Sequence, residues 1–294
     1  MDKLREHIRL MVQTIVTIVT NGYVKGFATG KIYTGDLKKV CVPGLNCYSC
    51  PSALGSCPIG SYQAVIGDRQ FKFTFYITGF LMVVGSTLGR LVCGWLCPFG
   101  LTQDLLYKVP FIKKIKRIRR DKYLRYFKYI ILLVFVLILP LFVVDIIGQG
   151  SPVFCKWICP VGTLEGGIPL VLLNDTFVEA IGFLYIWKIT ILVLTIVFSI
   201  LIYRPFCKYI CPLGAIYSIF NGISLYKYKI DNSKCIKCGV CSKACKMNIE
   251  PFKTPNHIEC IRCGDCKRAC PTAAISSGIN MVNKEKKEHN SSEI

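Results

Sequence analysis

Cys235-Ile-Lys-Cys238-Gly-Val-Cys241-Ser-Lys-Ala-Cys245 and Cys260-Ile-Arg-Cys263-Gly-Asp-Cys266-Lys-Arg-Ala-Cys270-Pro271 are two runs of one pattern, Cys-x2-Cys-x2-Cys-x3-Cys. In each run the short loops let three thiolates converge on one iron-sulfur cube, and the fourth cysteine reaches across to the other cube. The spacing therefore predicts one 4Fe-4S cluster on Cys235, Cys238, Cys241 and Cys270 and a second on Cys260, Cys263, Cys266 and Cys245. Gly239 and Gly264 relieve crowding where backbone amides must turn toward sulfur. Zinc knuckles also use Cys-x2-Cys pairs, but a tetrahedral ion has no use for eight cysteines in two runs. Lys246 stands where proline usually follows the fourth cysteine, which removes no ligand.

Upstream, a second pattern repeats: Cys93-Gly-Trp-Leu-Cys97-Pro98-Phe-Gly100, Cys155-Lys-Trp-Ile-Cys159-Pro160-Val-Gly162 and Cys207-Lys-Tyr-Ile-Cys211-Pro212-Leu-Gly214. Cysteines four apart share one face of a helical turn. The proline can start a new helix whose N-terminal amides face an anionic cluster. Helix packing alone would not require the repeated proline and glycine. A partial fourth copy, Cys57-Pro58-Ile59-Gly60, lacks the earlier partner at the same distance, and Cys41, Cys47 and Cys50 are the alternatives.

Around these motifs the chain is apolar. Of 294 residues 52% are hydrophobic, and mean hydropathy is +0.46, which points to a membrane class. Segments at about 8–28, 71–91, 124–147 and 181–203 are long enough to cross a bilayer core, the first being interrupted by Asn21, Gly22 and Lys25. Lys188 near the end of the last segment is expected to snorkel to the interface. The net charge of +20 concentrates beside these runs, and no nucleic-acid module is readable. Residues 90–128 hold eleven Lys and Arg, including Lys113, Lys114, Lys116, Arg117, Arg119 and Arg120, whereas 145–180 hold only Lys156 against Asp145, Glu165, Asp175 and Glu179. The first loop is thus expected to be cytoplasmic and the second outward, with both termini inside. Fourteen of the eighteen cysteines lie in regular ligand-type groups, and only His7, His257 and His289 are present, which argues against disulfide scaffolding and against a bis-histidine haem.

The expected architecture is mostly α: a four-helix transmembrane domain over 1–224 built as a duplicated hairpin, then an α+β two-cluster bacterial ferredoxin-like domain over 225–280 and a disordered tail over 281–294. Cys93, Cys97, Cys207 and Cys211 are expected to meet on the cytoplasmic side as a third 4Fe-4S site. Cys155 and Cys159 are expected to meet an outer pair, with Cys50 and Cys57 preferred because each precedes proline and with Cys41 and Cys47 as alternatives. Two outer cysteines then remain, for a disulfide, a second centre or free thiols. Two centres on opposite faces would be separated by much of a core about 30 Å thick, unless helices broken at the Cys-Pro elements let them sit inward. Arg90 and Arg204, three residues before Cys93 and Cys207, read either as cluster counter-charges or as interface markers. Trp95, Trp157 and Tyr209 read as shields or as belt residues.

The Cys-x3-Cys-Pro set followed by a two-cluster ferredoxin resembles the NapH-type membrane polyferredoxins, related to the NosR and CcoG groups. The resemblance implies electron transfer with partners through Cys93, Cys97, Cys207, Cys211 and the eight ferredoxin cysteines. The outer cysteines go beyond the basic NapH pattern. The reading is a multi-pass cell-membrane protein that relays electrons between a cytoplasmic donor or acceptor and an outer-face redox protein, an electron-transfer component rather than a self-contained enzyme. Two other readings are a redox-sensing or metalloenzyme assembly factor and a thiol-disulfide reductase relay through Cys47 with Cys50 or Cys41. No nucleotide loop, catalytic triad or flavin-attachment sequence is present.

Overall fold

The computed structural model describes residues 2–68, 75–110, 114–116, 118–144, 150–174 and 181–279. The expected tail at 281–294, part of the second and third expected segments, and the charges at Lys113, Arg117, Asp145, Asp175 and Glu179 lie outside the described residues. The chain is mostly helical. Four longer helices, α1 (Asp2–Thr20), α4 (Phe75–Leu88), α7 (Asp121–Phe142) and α10 (Phe183–Leu201), fall on the four apolar segments. Among the described residues, α7 and α10 are the helices long and apolar enough to cross a membrane on their own. The first segment stops early, at Thr20, and resumes as the short α2 (Lys25–Thr29), as the interruption at Asn21 and Gly22 foretold.

The four longer helices alternate in direction. The start of α1 lies with Asp104 through Arg9, at 3.1 Å, and its last turn meets Leu54. The end of α4 accepts from Arg262 at Leu88 O, 2.7 Å. The start of α7 reaches Glu259 through Lys128, whereas α10 begins beside Trp157 and ends where Ile200 O accepts from Lys114. One end of this bundle therefore carries the C-terminal module, and the other carries the loop at 41–57.

Four further helices begin inside the bundle: α3 (Pro58–Ile66), α6 (Pro98–Tyr107), α9 (Pro160–Leu173) and α12 (Pro212–Phe220). Each starts on proline at its first turn, where a missing N–H costs nothing, and each is capped by a cysteine held extended, with ψ between 111° and 127°. From there α6 and α12 run to the module end, where Tyr107 meets Tyr203 edge-to-face and Asn221 donates to His257 O. Both α3 and α9 run the other way, to Gly67 against Gly150 and to Asn174 against Gly30. Their N-termini consequently converge in the interior, and α3 and α12 pack on the middle of α7 at Leu132–Ile138.

Two helices widen to a π-type turn just before a proline: α7 over Leu132–Ile138 before Pro140, and α9 over Thr163–Gly167 before Pro169. A proline inside a helix removes one donor and crowds the carbonyl four residues back, and a wide turn absorbs both. Single turns α5 (Leu91–Trp95), α8 (Val153–Trp157) and α11 (Pro205–Tyr209) hold the first cysteine of each pair.

The C-terminal module pairs β1 (Tyr226–Ile230) with β2 (Ile275–Ile279), antiparallel, around α13 (Val240–Ala244) and α14 (Asp265–Arg268). Its two cysteine runs match in backbone as well as in sequence. Positive φ recurs at Lys237 and Arg262, at Gly239 and Gly264, and at Asn248 and Ala273, which turns successive amides inward.

The module is locked to the helices by buried charge. Glu259 is 1% exposed and pairs with both Arg90 and Lys128, each itself fully buried. Burial raises the Glu259 carboxyl, but Arg90 and Lys128 outweigh it and hold it down at about 2. Arg262 adds bonds to Leu88 O and Ser224 Oγ, and Trp95 Nε1 donates to Arg262 O at 3.0 Å. Removing one member of such a set strands the others without compensation. Glu259→Gln is expected to cost about 3–5 kcal/mol in the attachment of the module, read as a faster hydrogen exchange across 240–263 with α10 unchanged. Unchanged exchange would show that this charge set does not hold the joint.

Candidate iron-sulfur sites

Sixteen of the eighteen cysteines gather into four groups of four. In the module, Cys235, Cys238, Cys241 and Cys270 line one cavity, closed by Ile230, Phe252 and Ile275. Cys266 lies within electrostatic reach of Cys260 and Cys245, and Cys263 of Cys260, which forms the second group. Cys241 of the first group is also within reach of Cys266 of the second.

The third group sits in the bundle. Cys97 is within reach of Cys93 and Cys207, and Cys211 of all three. The fourth comprises Cys47, Cys57, Cys155 and Cys159, which line a cavity of about 390 Å³ together with Lys156 and Lys188. Here the structure departs from the sequence preference: Cys47, not Cys50, stands with Cys57. Cys50 turns to Ser52, with Sγ···Oγ at 3.2 Å, and Cys41 pairs in a bridge with Ser56, both buried. None of the eighteen thiols is in a disulfide.

Among the described residues, no three His, Cys, Asp or Glu side chains come close enough for a single metal ion. A tetrahedral zinc about 2.3 Å from each sulfur needs sulfurs about 3.8 Å apart. Each group offers four thiolates, the donor set of a 4Fe-4S cluster. The polar surroundings also suit an anionic centre. The capping cysteines receive amides from the start of their own helix: Ile59 and Gly60 at Cys57, Gly100 at Cys97, Val161 and Gly162 at Cys159, and Gly214 at Cys211, where N···Sγ is 3.3 Å.

The Cys93 and Cys207 halves mirror one another. Arg90 donates to Cys207 O at 3.2 Å, and Arg204 donates to Cys93 O. Both arginines are 0% exposed and clamp the opposite half, Arg90 pairing also with Glu259 and Arg204 with Asp104. Arg204 takes a left-handed backbone, φ 48°, held by Asp104, which also pairs with Arg9.

A position that the motif reading passed over repeats as well. Six residues after each capping cysteine stand Gln63, Gln103, Glu165 and Tyr217. Gln63 donates to Cys155 Sγ at 3.3 Å and Gln103 to Cys207 Sγ at 3.0 Å. Glu165 accepts from Cys47 N–H at 2.7 Å, and Tyr217 donates to Pro43 O at 2.9 Å. The signal was present in the sequence as two glutamines at matched offsets on α3 and α6. Lys188 donates to Cys155 O at 3.4 Å. Trp95 donates to Arg262 O at the module joint and Tyr209 to Asp121 on α7, while Trp157 is 41% exposed.

The two bundle groups are neighbours. Leu45 presents its amide to Cys97 and the next residue, Asn46, presents its own to Cys57. Adjacent α-carbons are about 3.8 Å apart and each amide-to-sulfur contact adds about 4 Å, so the two sulfurs lie within roughly 12 Å. Fully buried Tyr217 is within reach of Cys93 and Cys97 on one side and of Cys57 and Cys41 on the other. Toward the module, a Cβ placed on Gly94, between Cys93 and Cys97, would stand 2.2 Å from Ile261 O, between Cys260 and Cys263.

Comparison with known proteins fits this geometry. A 4Fe-4S binding-domain model matches residues 73–119, 129–168 and 185–230, one stretch for each Cys-x3-Cys-Pro element, and a second 4Fe-4S binding-domain model matches 228–249. Two uncharacterised proteins of Methanocaldococcus jannaschii are 28% and 31% identical over 63% and 58% of this chain. The ferredoxin-type protein NapH of Haemophilus influenzae is 27% identical over 37% of this chain and 52% of its own length. The matched region spans 63% and 64% of the two Methanocaldococcus relatives. No solved structure matches. The chain is an iron-sulfur protein with 4Fe-4S binding domains. Its relatives, NapH and NosR among them, are consistent with a NapH/NosR-type polyferredoxin.

A hydrogen bond to a ligand sulfur stabilises the reduced, more negative cluster. At about 1 kcal/mol for the net bond, Gln103→Leu is expected to lower one reduction potential by about 40 mV, measured by EPR-monitored titration. A potential that stays within error would remove Gln103 from the site's tuning.

Proposed function

We propose that this protein is a membrane-bound relay that passes electrons through four 4Fe-4S clusters in a row. The first is held by Cys235, Cys238, Cys241 and Cys270, the second by Cys245, Cys260, Cys263 and Cys266. The third is held by Cys93, Cys97, Cys207 and Cys211, the fourth by Cys47, Cys57, Cys155 and Cys159. The observation that carries this reading is continuity: each group lies within reach of the next, through Cys241 and Cys266, through Gly94 and Ile261, and through Leu45 and Asn46.

The clusters supply one-electron chemistry; the protein's residues supply position and field. Four helix N-termini and the buried Arg90 and Arg204 offset negative charge in an apolar interior. Tyr217 and the 43–47 strand of loop fill the space between the two bundle groups and exclude water from it.

In this reading α1, α4, α7 and α10 cross the bilayer, with the module and the basic residues around 114–125 in the cytoplasm, as the Lys and Arg distribution implies. The half-helices bring the third and fourth clusters together near mid-depth, so no step spans the full hydrocarbon core. The partner on the module side meets Cys238, the exposed thiol of the first group, flanked by Ile236, Lys234 and Lys237. The outer partner meets the cavity at Lys156 and Lys188. A thiol relay is disfavoured, because Cys41 and Cys50 are 4% and 3% exposed and Cys47 faces the fourth group.

Anaerobically purified protein is expected to hold about sixteen irons, four for each cubane. Cys47→Ser is expected to lose the EPR signature of one cluster, and Cys50→Ser to keep the wild-type iron content and spectrum. About eight irons in the wild type would confine clusters to the module and end the relay reading.

A further inference from the structure

Beside the joint, residues 118–129 at the start of α7 and residues 242–259 of the module wall an open cleft of about 810 Å³. A cleft of this size suits a small ligand. Its rim is basic, with Arg119, Arg120 and Lys122 on one wall. The carboxylates on the same walls are already engaged: Asp121 with Arg125 and Lys208, Glu259 with Arg90 and Lys128, and Glu250 with Lys253 at 2.7 Å. Arg125, 8% exposed, donates from Nη2 to Met247 O at 2.9 Å, yet its buried Nε has no partner. Ser242 Oγ, on the module wall, is likewise buried and unpartnered. A basic cleft whose own carboxylates are already paired fits an anion with several acceptor oxygens, and a phosphate group has that chemistry.

The position of the cleft favours one source of phosphate. Tyr123 and Tyr126 project from the first turns of α7, 79% and 62% exposed, and the apolar surface of α7 continues from Phe127 and Ile130. Exposed tyrosines followed by exposed apolar residues mark the headgroup level of a bilayer. We infer that the cleft binds the phosphate-bearing headgroup of an anionic phospholipid, whose acyl chains lie along the apolar face of α7. The inference rests on the membrane reading given above. The bound headgroup bridges the two walls and so fastens the cluster-bearing module to the helices at the bilayer surface.

The test uses the full chain in zwitterionic nanodiscs and follows its thermal unfolding midpoint as phosphatidylglycerol, additional phosphatidylcholine or inorganic phosphate is added. Phosphatidylglycerol is expected to raise the midpoint by about 5 °C at saturation, with no comparable rise for the other two. Arg119→Gln with Arg120→Gln is expected to lose most of that rise, and Arg119→Lys with Arg120→Lys to keep it. An equal rise with phosphatidylcholine, or a rise that survives the glutamine pair, overturns the site. The whole rise with inorganic phosphate alone overturns the lipid as its source. Protein released from cell membranes without detergent would sink the membrane reading itself, whereas detergent-dependent release without a phosphatidylglycerol effect would sink only this site.

Discussion

A cluster with four thiolate ligands is an anion, and placing it in an apolar interior is costly unless fixed dipoles and buried cations surround it. The rest of the structure follows from that constraint. Each capping cysteine sits before a proline, each proline starts a helix, and each helix turns its free amides back on the cysteine that caps it. With their N-termini turned to the cysteine groups, the half-helices start inside the bundle and run outward in opposite directions. Arg90 and Arg204 complete the arrangement by reaching across to the opposite half, each holding the carbonyl of the other half's first cysteine.

The same constraint explains the spacing of the groups. Sites built at the outer ends of membrane helices would stand too far apart to exchange electrons directly. Helices interrupted at Cys-Pro place the third and fourth groups on two sides of a single loop, where consecutive amides serve one sulfur each. Gly94 makes the equivalent close approach on the module side, since any side chain there would meet Ile261 O. The buried Glu259 pairs then hold the two parts at that separation.

Much of this was legible in the residues. Repeated Cys-Pro-x-Gly elements announced helix starts, hydropathy located the four longer helices, and the alternation of these elements between the two ends anticipated the grouping of Cys93, Cys97, Cys207 and Cys211. The partner of Cys57 was not legible. In the other copies a single helical turn fixes the first cysteine four residues before the second, whereas residues 41–57 form a loop whose course depends on contacts with Glu165 and Tyr217, far away in sequence. Proline after Cys50 made it a preferred ligand, but Cys50 closes a turn with Cys47 O instead. The sixth-residue position escaped notice because its four members, Gln63, Gln103, Glu165 and Tyr217, share a location rather than a residue type. The closeness of the two bundle groups was hidden for a similar reason: hydropathy reports which segments are apolar, not where a broken helix begins in depth.

The most direct measurement is electron transfer across a sealed vesicle that contains the purified full chain, with a membrane-impermeant reductant on the module side and an impermeant acceptor enclosed. The account predicts protein-dependent reduction of the enclosed acceptor, abolished by Cys97→Ser while the module clusters still become reduced. Fully reducible clusters at all four groups with no electron reaching the enclosed acceptor would contradict it.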